Sequence, residues 1–267
     1  LRSPGDRADE DIPRILPLLP LKETVIFPAT VTPVAVGKPR SLAAVEKAMA
    51  GERILGAVPV KPSVKGGGDE VYDIGTAVSI VKLLSMPDGT LRILVQGLEK
   101  IRIAKVLTRK PFFSAEVDVL KETYERSDRI EVLMRNVLDR VSRIVSTVTY
   151  LPDELQTATM NIENPILLVY LIATSFRLKF EDRQAILETP DVEEKLGRVL
   201  KVLDRELELL EIGGKIEDQV KTEMSKTQRE YYLREQLKAI KKELGEGDEM
   251  ELEANEILDK LDRLKLP

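Results

Sequence analysis

The sequence changes its pattern near residue 122, so neither strands alone nor helices alone suit the whole chain. Before this point, Val, Ile and Leu occur in short runs broken by Pro and Gly, which is typical of strands and turns. After it, apolar residues recur every three or four positions, which is typical of helices. The pattern predicts an α+β fold: a β-rich lobe built as a small barrel or meander, then an all-α helical bundle, and then one very long projecting helix.

The same pattern gives the expected domain boundaries. Residues 1–12 are polar and are expected to be a flexible tail, and residues 13–121 are expected to form the β-rich lobe. Residues 122–190 are predicted to be the helical bundle, residues 191–245 the long helix, and residues 246–267 a linker helix.

Turn and cap residues support this division. Asp88-Gly89 is typical of a hairpin turn and lies between the predicted strands Thr76–Leu84 and Leu91–Gln96. Polar residues that precede apolar helical patterns are predicted N-caps. They are Ser41, for a helix inside the lobe, and Ser127, Asn164 and Thr189 in the helical part.

The chain contains no Cys and no His. It therefore cannot supply a Ser-His-Asp triad, a Cys nucleophile, a zinc site or a haem ligand. Carboxylate, Lys and Tyr chemistry stays open, but the 46 acidic residues include no specific pair that indicates an enzyme. We expect a binding or assembly module without catalytic residues or a metal. The lack of Cys, of a signal peptide and of a long apolar run indicates a cytoplasmic protein.

Nucleic-acid binding is a less favoured alternative. The net charge is −5 and aromatic residues make up only 4%, so the chain offers little attraction to phosphates and few rings for stacking. Gly66-Gly67-Gly68 lacks the phosphate-loop pattern and is predicted to be a mobile surface loop. One local basic group, which is expected to be a solvated face, consists of Arg92, Lys100, Arg102, Lys105, Arg109 and Lys110.

Apolar residues on predicted loops are the candidates for binding another protein. Phe27 and Pro28 lie in one such loop, and Met86 and Pro87 lie at the hairpin tip. Two alternatives stay open: Phe27 is a core residue, and Met86 is an isolated surface residue.

The long helix offers a second candidate surface, for self-association. Met224 and Tyr231 are seven residues apart and share a face, whereas Tyr232 lies off that face and is expected to place its ring on a neighbouring surface. We expect this face to pair with the same helix of another subunit, and packing on the final helix of the chain is the open alternative. Gly213-Gly214 is predicted to be a hinge, although two glycines are also tolerated inside a helix.

Several stretches, in order along nearly the whole chain, resemble the amino-terminal region of Lon proteases. They are Leu16-Pro17-Leu18-Leu19-Pro20-Leu21, Val25-Ile26-Phe27-Pro28, Pro33-Val34-Ala35-Val36-Gly37, Gly75-Thr76, Pro87-Asp88-Gly89-Thr90, Val95-Gln96-Gly97 and KTQREYYLREQLKAIKKELGE from Lys226 to Glu246. The last stretch, which is similar to the long-helix signature of that family, is the most specific.

The resemblance implies a PUA-like substrate-binding lobe in a hexameric, ATP-dependent AAA+ serine protease of the bacterial cytoplasm. In that family, ATP, Mg and the Ser-Lys dyad belong to later modules, so no cofactor is expected in this chain. The implied function is to bind exposed apolar segments of unfolded or damaged proteins for degradation, with self-association through the long helix. The resemblance also implies that the long helix helps to gate substrate entry, so Met224, Tyr231 and Tyr232 are candidates both for the contact between subunits and for the gate. A purely structural oligomerisation or spacing module is the alternative.

Overall fold

The computed structural model describes residues 12–62, 70–148, 151–152 and 154–243. The strands are β1 (Ile15–Leu21), β2 (Val31–Val36), β3 (Ile54–Pro59), β4 (Ile74–Ser85), β5 (Leu91–Thr108) and β6 (Phe113–Leu120). The helices are α1 (Pro39–Met49), α2 (Asp128–Val145), α3 (Glu154–Met160), α4 (Pro165–Ser175), α5 (Phe180–Glu188) and α6 (Val192–Glu243). The order of elements is that of the predicted α+β chain.

Some predicted segments lie outside the described residues. They are the amino-terminal tail except Ile12, the Gly66-Gly67-Gly68 loop and the linker helix at 246–267. None of the described helices is both long and apolar enough to cross a membrane.

The six strands form one sheet that closes into a barrel. The strand order is β2-β5-β4-β3-β1-β6, and β6 pairs with β5 as well as with β1, which completes a ring of five strands. β1 and β3 are parallel and the other pairings are antiparallel. Among the described strands, β2 pairs with β5 alone, so β2 lies at an edge.

The predicted hairpin is confirmed and joins β4 to β5. The Met86 N–H donates to the Thr90 carbonyl at 2.9 Å, and Gly89 has a φ of +79°. Asp88 accepts hydrogen bonds from the hydroxyl and the N–H of Thr90, which hold the pKa of its carboxyl below the ordinary value. β5 then continues to Thr108, beyond the predicted end of this strand at Gln96.

Side chains of β1 alternate between two apolar clusters, as expected for a strand buried on both faces. Leu16 and Leu18 pack in one cluster with Phe113 of β6. Leu19 and Leu21 pack in the other, which includes residues of α1. α1 therefore covers the second face of the barrel wall.

Two of the predicted helix caps are confirmed. The Ser127 hydroxyl accepts from the Ile130 N–H at 3.2 Å and begins α2. The Asn164 side chain accepts from the Ile166 N–H at 2.9 Å and begins α4, whose first residue is Pro165. Both caps use contacts within three residues, which a sequence displays directly.

Two other predicted caps are wrong. α1 begins at Pro39 after Lys38, because Pro suits the first position of a helix, and Ser41 lies inside α1. The hydroxyl of Thr189 donates to the Ala185 carbonyl at the end of α5. Asp191 caps α6 instead of Thr189.

The described residues divide into two compact units after Leu207, within α6. The first unit contains the barrel, α1 to α5 and the start of α6. Gly213 and Gly214 lie in the second unit, and α6 is assigned as one helix through both. The predicted boundaries at residues 121 and 190 and the predicted hinge stay predictions.

Candidate functional site

Phe27 and Pro28 lie between β1 and β2, and both side chains are buried. Phe27 is 1% exposed, and its ring centroid lies 5.1 Å from that of Tyr170 on α4. The expectation that this loop exposes Phe27 and Pro28 is therefore wrong, because the aromatic ring fills the space between the barrel and α4. The alternative interpretation, that Phe27 belongs to the core, agrees with this burial.

The segment that follows Phe27 lines a cavity of about 390 Å³, which we name the apolar pocket. Its lining residues are Pro28, Ala29, Thr30, Val31, Ile162, Leu167, Tyr170, Leu171 and Thr174. Val31 is 53% exposed and Leu167 is 40% exposed, so apolar side chains at this pocket face solvent. Pro28 thus contributes to an apolar surface although it is itself buried.

Gly97 of β5 holds the wall of the apolar pocket in place. Its N–H donates to the Thr30 carbonyl at 2.8 Å, and its carbonyl accepts from the Ala29 N–H at 3.0 Å. A Cβ atom at this position would lie 2.1 Å from the Phe27 carbonyl oxygen. The close backbone approach therefore requires glycine.

A larger cavity of about 980 Å³ adjoins β2, and we name it the basic groove. β1 contributes Leu19 to Leu21 to its lining, and β2 contributes Pro33 to Val36. Four lysines also line it: Lys22, Lys38, Lys61 and Lys179. Sequence reasoning missed this group because its members come from four separate segments, and none of them stands in a basic run.

The hairpin-tip residues are only partly accessible. Met86 is half-buried and Pro87 is exposed. Val81 and Leu84, on the adjoining strand, are exposed apolar side chains. A role of Met86 and Pro87 in binding stays a prediction.

A buried polar cluster connects β5, the segment after β6, α4 and α6. Glu122 accepts hydrogen bonds from Lys100 at 2.6 Å, from Lys195 and from the Tyr170 hydroxyl. Lys195 also donates to the Tyr170 hydroxyl at 2.7 Å. Lys100 is therefore not part of a solvated basic face, as the sequence suggested, because it is 3% exposed and paired with Glu122.

Burial and charge shift the pKa of Glu122, Lys195 and Tyr170. Burial opposes the charge of Glu122, but hydrogen bonds from Lys100, Lys195 and Tyr170 outweigh it and lower the pKa of the carboxyl. Burial lowers the pKa of Lys195 to about 8, although the bond to Glu122 acts in the opposite direction. Burial and the Glu122 charge raise the pKa of the Tyr170 phenol. The cluster is a structural joint, because its members are enclosed by protein.

The second part of α6 exposes a regular apolar stripe. Leu209, Ile212 and Ile216 are spaced by three and four residues, and so are Leu233, Leu237 and Ile240. Both triplets occupy the same two positions of one heptad repeat, and the residues at these positions between the two triplets are polar. We name these six residues the α6 stripe.

Tyr231 and Tyr232 are exposed beside the α6 stripe. The Tyr232 hydroxyl accepts from the Gln236 amide at 3.0 Å. The side chain of Met224 lies outside the described part of the structure. The predicted pairing role of these three residues stays a prediction.

Comparison with known proteins identifies the family. Residues 15–205 match the family described as ATP-dependent protease La (LON) substrate-binding domain. The chain is 45% identical to the Lon protease of Dictyoglomus thermophilum over 259 residues, which covers 97% of this chain and 33% of that protein. It is 40% identical to Lon protease 1 of Herpetosiphon aurantiacus over 257 residues, with 94% and 32% covered. The chain thus spans about a third of the length of these relatives.

A solved structure supports the fold. The N-terminal domain of the Mycobacterium avium complex Lon protease superposes with a TM-score of 0.60 at 20% identity, covering 71% of this chain and 98% of that one. The α+β fold class is thereby confirmed. The chain belongs to the Lon protease substrate-binding domain family.

Proposed function

We propose that this chain captures unfolded or damaged polypeptides for a Lon protease. Apolar side chains that these polypeptides expose enter the apolar pocket. The observation that carries this proposal is the solvent-facing Val31 and Leu167 at a pocket with further apolar lining. An unfolded chain exposes such side chains and a folded one buries them. The pocket therefore binds unfolded chains in preference to folded ones, because unfolded chains make these side chains accessible.

Binding by one such pocket is expected to be weak. Burial of one large apolar side chain contributes about 1.5–3 kcal/mol, which by itself corresponds to a dissociation constant of millimolar or weaker. Several copies of the domain in one assembly raise the affinity through effective concentration. The proposal includes the cytoplasmic hexamer that the family resemblance implies, with ATP hydrolysis and peptide cleavage supplied by the rest of the protease.

NMR titration with a permanently unfolded protein and with its folded counterpart tests this function. We expect shifts around Val31 and Leu167 with the unfolded form only. Val31→Asp should weaken binding about fivefold, because it places a charge at an apolar contact. Val132→Asp on α2 is a matched control, since Val132 is also 53% exposed and lies outside the pocket. Equal effects of the two variants, or shifts confined to the Met86 hairpin, would contradict the assignment of the apolar pocket.

We also propose that the α6 stripe joins copies of the chain. Its six apolar side chains are exposed at heptad spacing, which is the pattern that two-stranded coiled coils bury. The two triplets would act as separate contacts, because the intervening frame positions are polar. Self-association is thus a second role beside substrate capture.

A further inference from the structure

We infer that the preferred polypeptide segment is extended and has two parts, an apolar part for the apolar pocket and an acidic part for the basic groove. This inference rests on the proposed function and adds the chemical class of the segment. It also places the acidic part of the segment beside β2.

β2 connects the two cavities. Val31, its first residue, lines the apolar pocket, and Pro33 to Val36 line the basic groove. Its alternate residues Val31, Pro33 and Ala35 are exposed, and among the described strands only β5 pairs with β2. An extended segment that follows β2 would therefore contact both cavities.

The lysines of the basic groove set the charge of the occupant. Lys22, Lys38 and Lys179 are exposed, and Lys61 is half-buried. Two acidic residues, Glu23 and Glu181, share the lining, so the groove has an excess of positive charge in a chain of net charge −5. Within the described residues, no ion pair joins any of the four lysines to a carboxylate. Carboxylates of a bound segment complement this charge.

A smaller cavity of about 360 Å³ adjoins the basic groove and shares Pro20, Lys38 and Ser41 with it. The lining of the basic groove also includes apolar groups, such as Leu19 and Phe180. We therefore favour an acidic polypeptide over a nucleic acid, because a polypeptide uses the charges, the apolar lining and the apolar pocket together.

Pro33 limits the backbone hydrogen bonds that a bound segment can form with β2. Strand addition at a sheet edge takes most of its affinity from backbone hydrogen bonds. Pro33 has no N–H to donate at the middle of β2, so a complete ladder cannot form. Side-chain contacts at the two cavities then decide which segments bind.

The length of β2 sets the spacing of the two parts. A strand rises about 3.3 Å per residue, so the six residues of β2 span about 20 Å. Pro28 to Val31 line the apolar pocket and Pro33 to Val36 line the basic groove, so an apolar block and an acidic block whose centres lie about five residues apart match the two cavities. Interleaving the same residues removes the match without changing composition.

Fluorescence anisotropy with three peptides tests the inference on the intact chain. One peptide has the two blocks, one interleaves the same residues, and one replaces the acidic residues by their amides. We expect the block peptide to bind about five to ten times more tightly than the other two at low salt, and to lose this advantage at high salt. Lys38→Glu with Lys179→Glu should abolish the difference, whereas the control Lys82→Glu with Lys105→Glu, which lies outside the groove, should keep it.

The outcomes separate this inference from the proposed function. Equal binding of all three peptides, with weaker binding of each to Val31→Asp, would overturn the acidic preference and leave capture at the apolar pocket intact. Binding of none of the peptides and of no unfolded protein would overturn the proposed function itself. A single-stranded oligonucleotide that displaces the block peptide and loses its own binding in Lys38→Glu with Lys179→Glu would show a general polyanion site, which also overturns the inference.

Discussion

Glu122 is the residue on which the joint between the barrel and the helices depends. Among the described residues, it is the single carboxylate that accepts from Lys100, Lys195 and Tyr170, three side chains of three different elements. Two lysines share its charge, so the buried cluster has one positive charge in excess when both lysines and Glu122 are ionised and Tyr170 is neutral. Removal of the carboxylate and removal of one lysine should therefore have very different effects.

Glu122→Gln should destabilise the chain by about 3–5 kcal/mol, because it removes the carboxylate that two buried ammonium groups share. Lys195→Met should change stability by about 1 kcal/mol or less, because Lys100 and Glu122 stay paired. Urea unfolding followed by circular dichroism measures both. The surface pair of Glu194 and Arg198 supplies a control, and Glu194→Gln is expected to cost under about 0.5 kcal/mol. A loss in Glu122→Gln no larger than in this control would refute the joint.

The pH dependence of stability should reflect the titration of both Glu122 and Lys195. The pKa of Glu122 is lowered on folding, so its contribution is present above its ordinary value of 4.5 and is lost as pH falls through the folded pKa. The pKa of Lys195 is lowered to about 8 from 10.5, so stability should rise between these values, where the unfolded chain binds more protons. Unfolding midpoints across this range should lose the alkaline rise in Lys195→Met. An unchanged alkaline limb in that variant would count against the lowered pKa.

Sequence reasoning at this scale succeeds where partners are close in the chain. The caps at Ser127 and Asn164 bond to N–H groups two or three residues away, and both are predicted correctly. The sequence does not indicate the burial of Lys100, and it leaves Phe27 open between a binding loop and the core, because Glu122 and Tyr170 lie on distant segments. The lysines of the basic groove are invisible to sequence patterns for the same reason.

At the scale of elements, α6 contains the clearest local weakness. Gly213 and Gly214 lie inside a 52-residue helix, and a Cβ at either position would meet no atom within 4 Å. Glycine in an exposed helix interior is less favourable than alanine by about 1 kcal/mol. The pair therefore weakens the helix without a packing reason.

Gly213→Ala with Gly214→Ala should stabilise this part of α6 by about 1–2 kcal/mol. Hydrogen exchange of the amides from 208 to 220 should slow accordingly. Gly197→Ala, which also meets no atom within 4 Å, is the control and should not slow exchange in that range. Unchanged exchange in the double variant would show that the glycines do not limit opening of the helix, and would also argue against the predicted hinge.

The sequence predicts whether an element is a helix or a strand better than it predicts which strands pair. The hairpin at Asp88-Gly89 is a local signal, and the helical periodicity after residue 122 is strong. The double pairing of β6 with β1 and β5 has no local signal, because each pairing depends on residues far apart in the chain. A barrel and an open meander are therefore equally compatible with the sequence.

At the scale of the whole molecule, self-association should depend on the α6 stripe. Leu237→Lys with Ile240→Lys places two charges in its second triplet, which should shift sedimentation of the chain toward the monomer, with association weakened about tenfold or more. Glu235→Lys lies outside the stripe and is a matched control for added positive charge on α6. Identical sedimentation of the two variants at all concentrations would refute this role.

Closure of the barrel also has a consequence for biosynthesis. Ile15 of β1 pairs with Glu116 of β6, so β1 finds this partner only after the roughly 100 residues between them have been synthesised. Topologies dominated by such distant pairings fold slowly, in milliseconds to seconds for small domains. Until then this edge of the apolar β1 stays unpaired on the nascent chain and is prone to aggregation, even after β3 has paired with the other edge. A domain that we propose to recognise unfolded proteins thus passes, during its own synthesis, through a state that resembles its substrates.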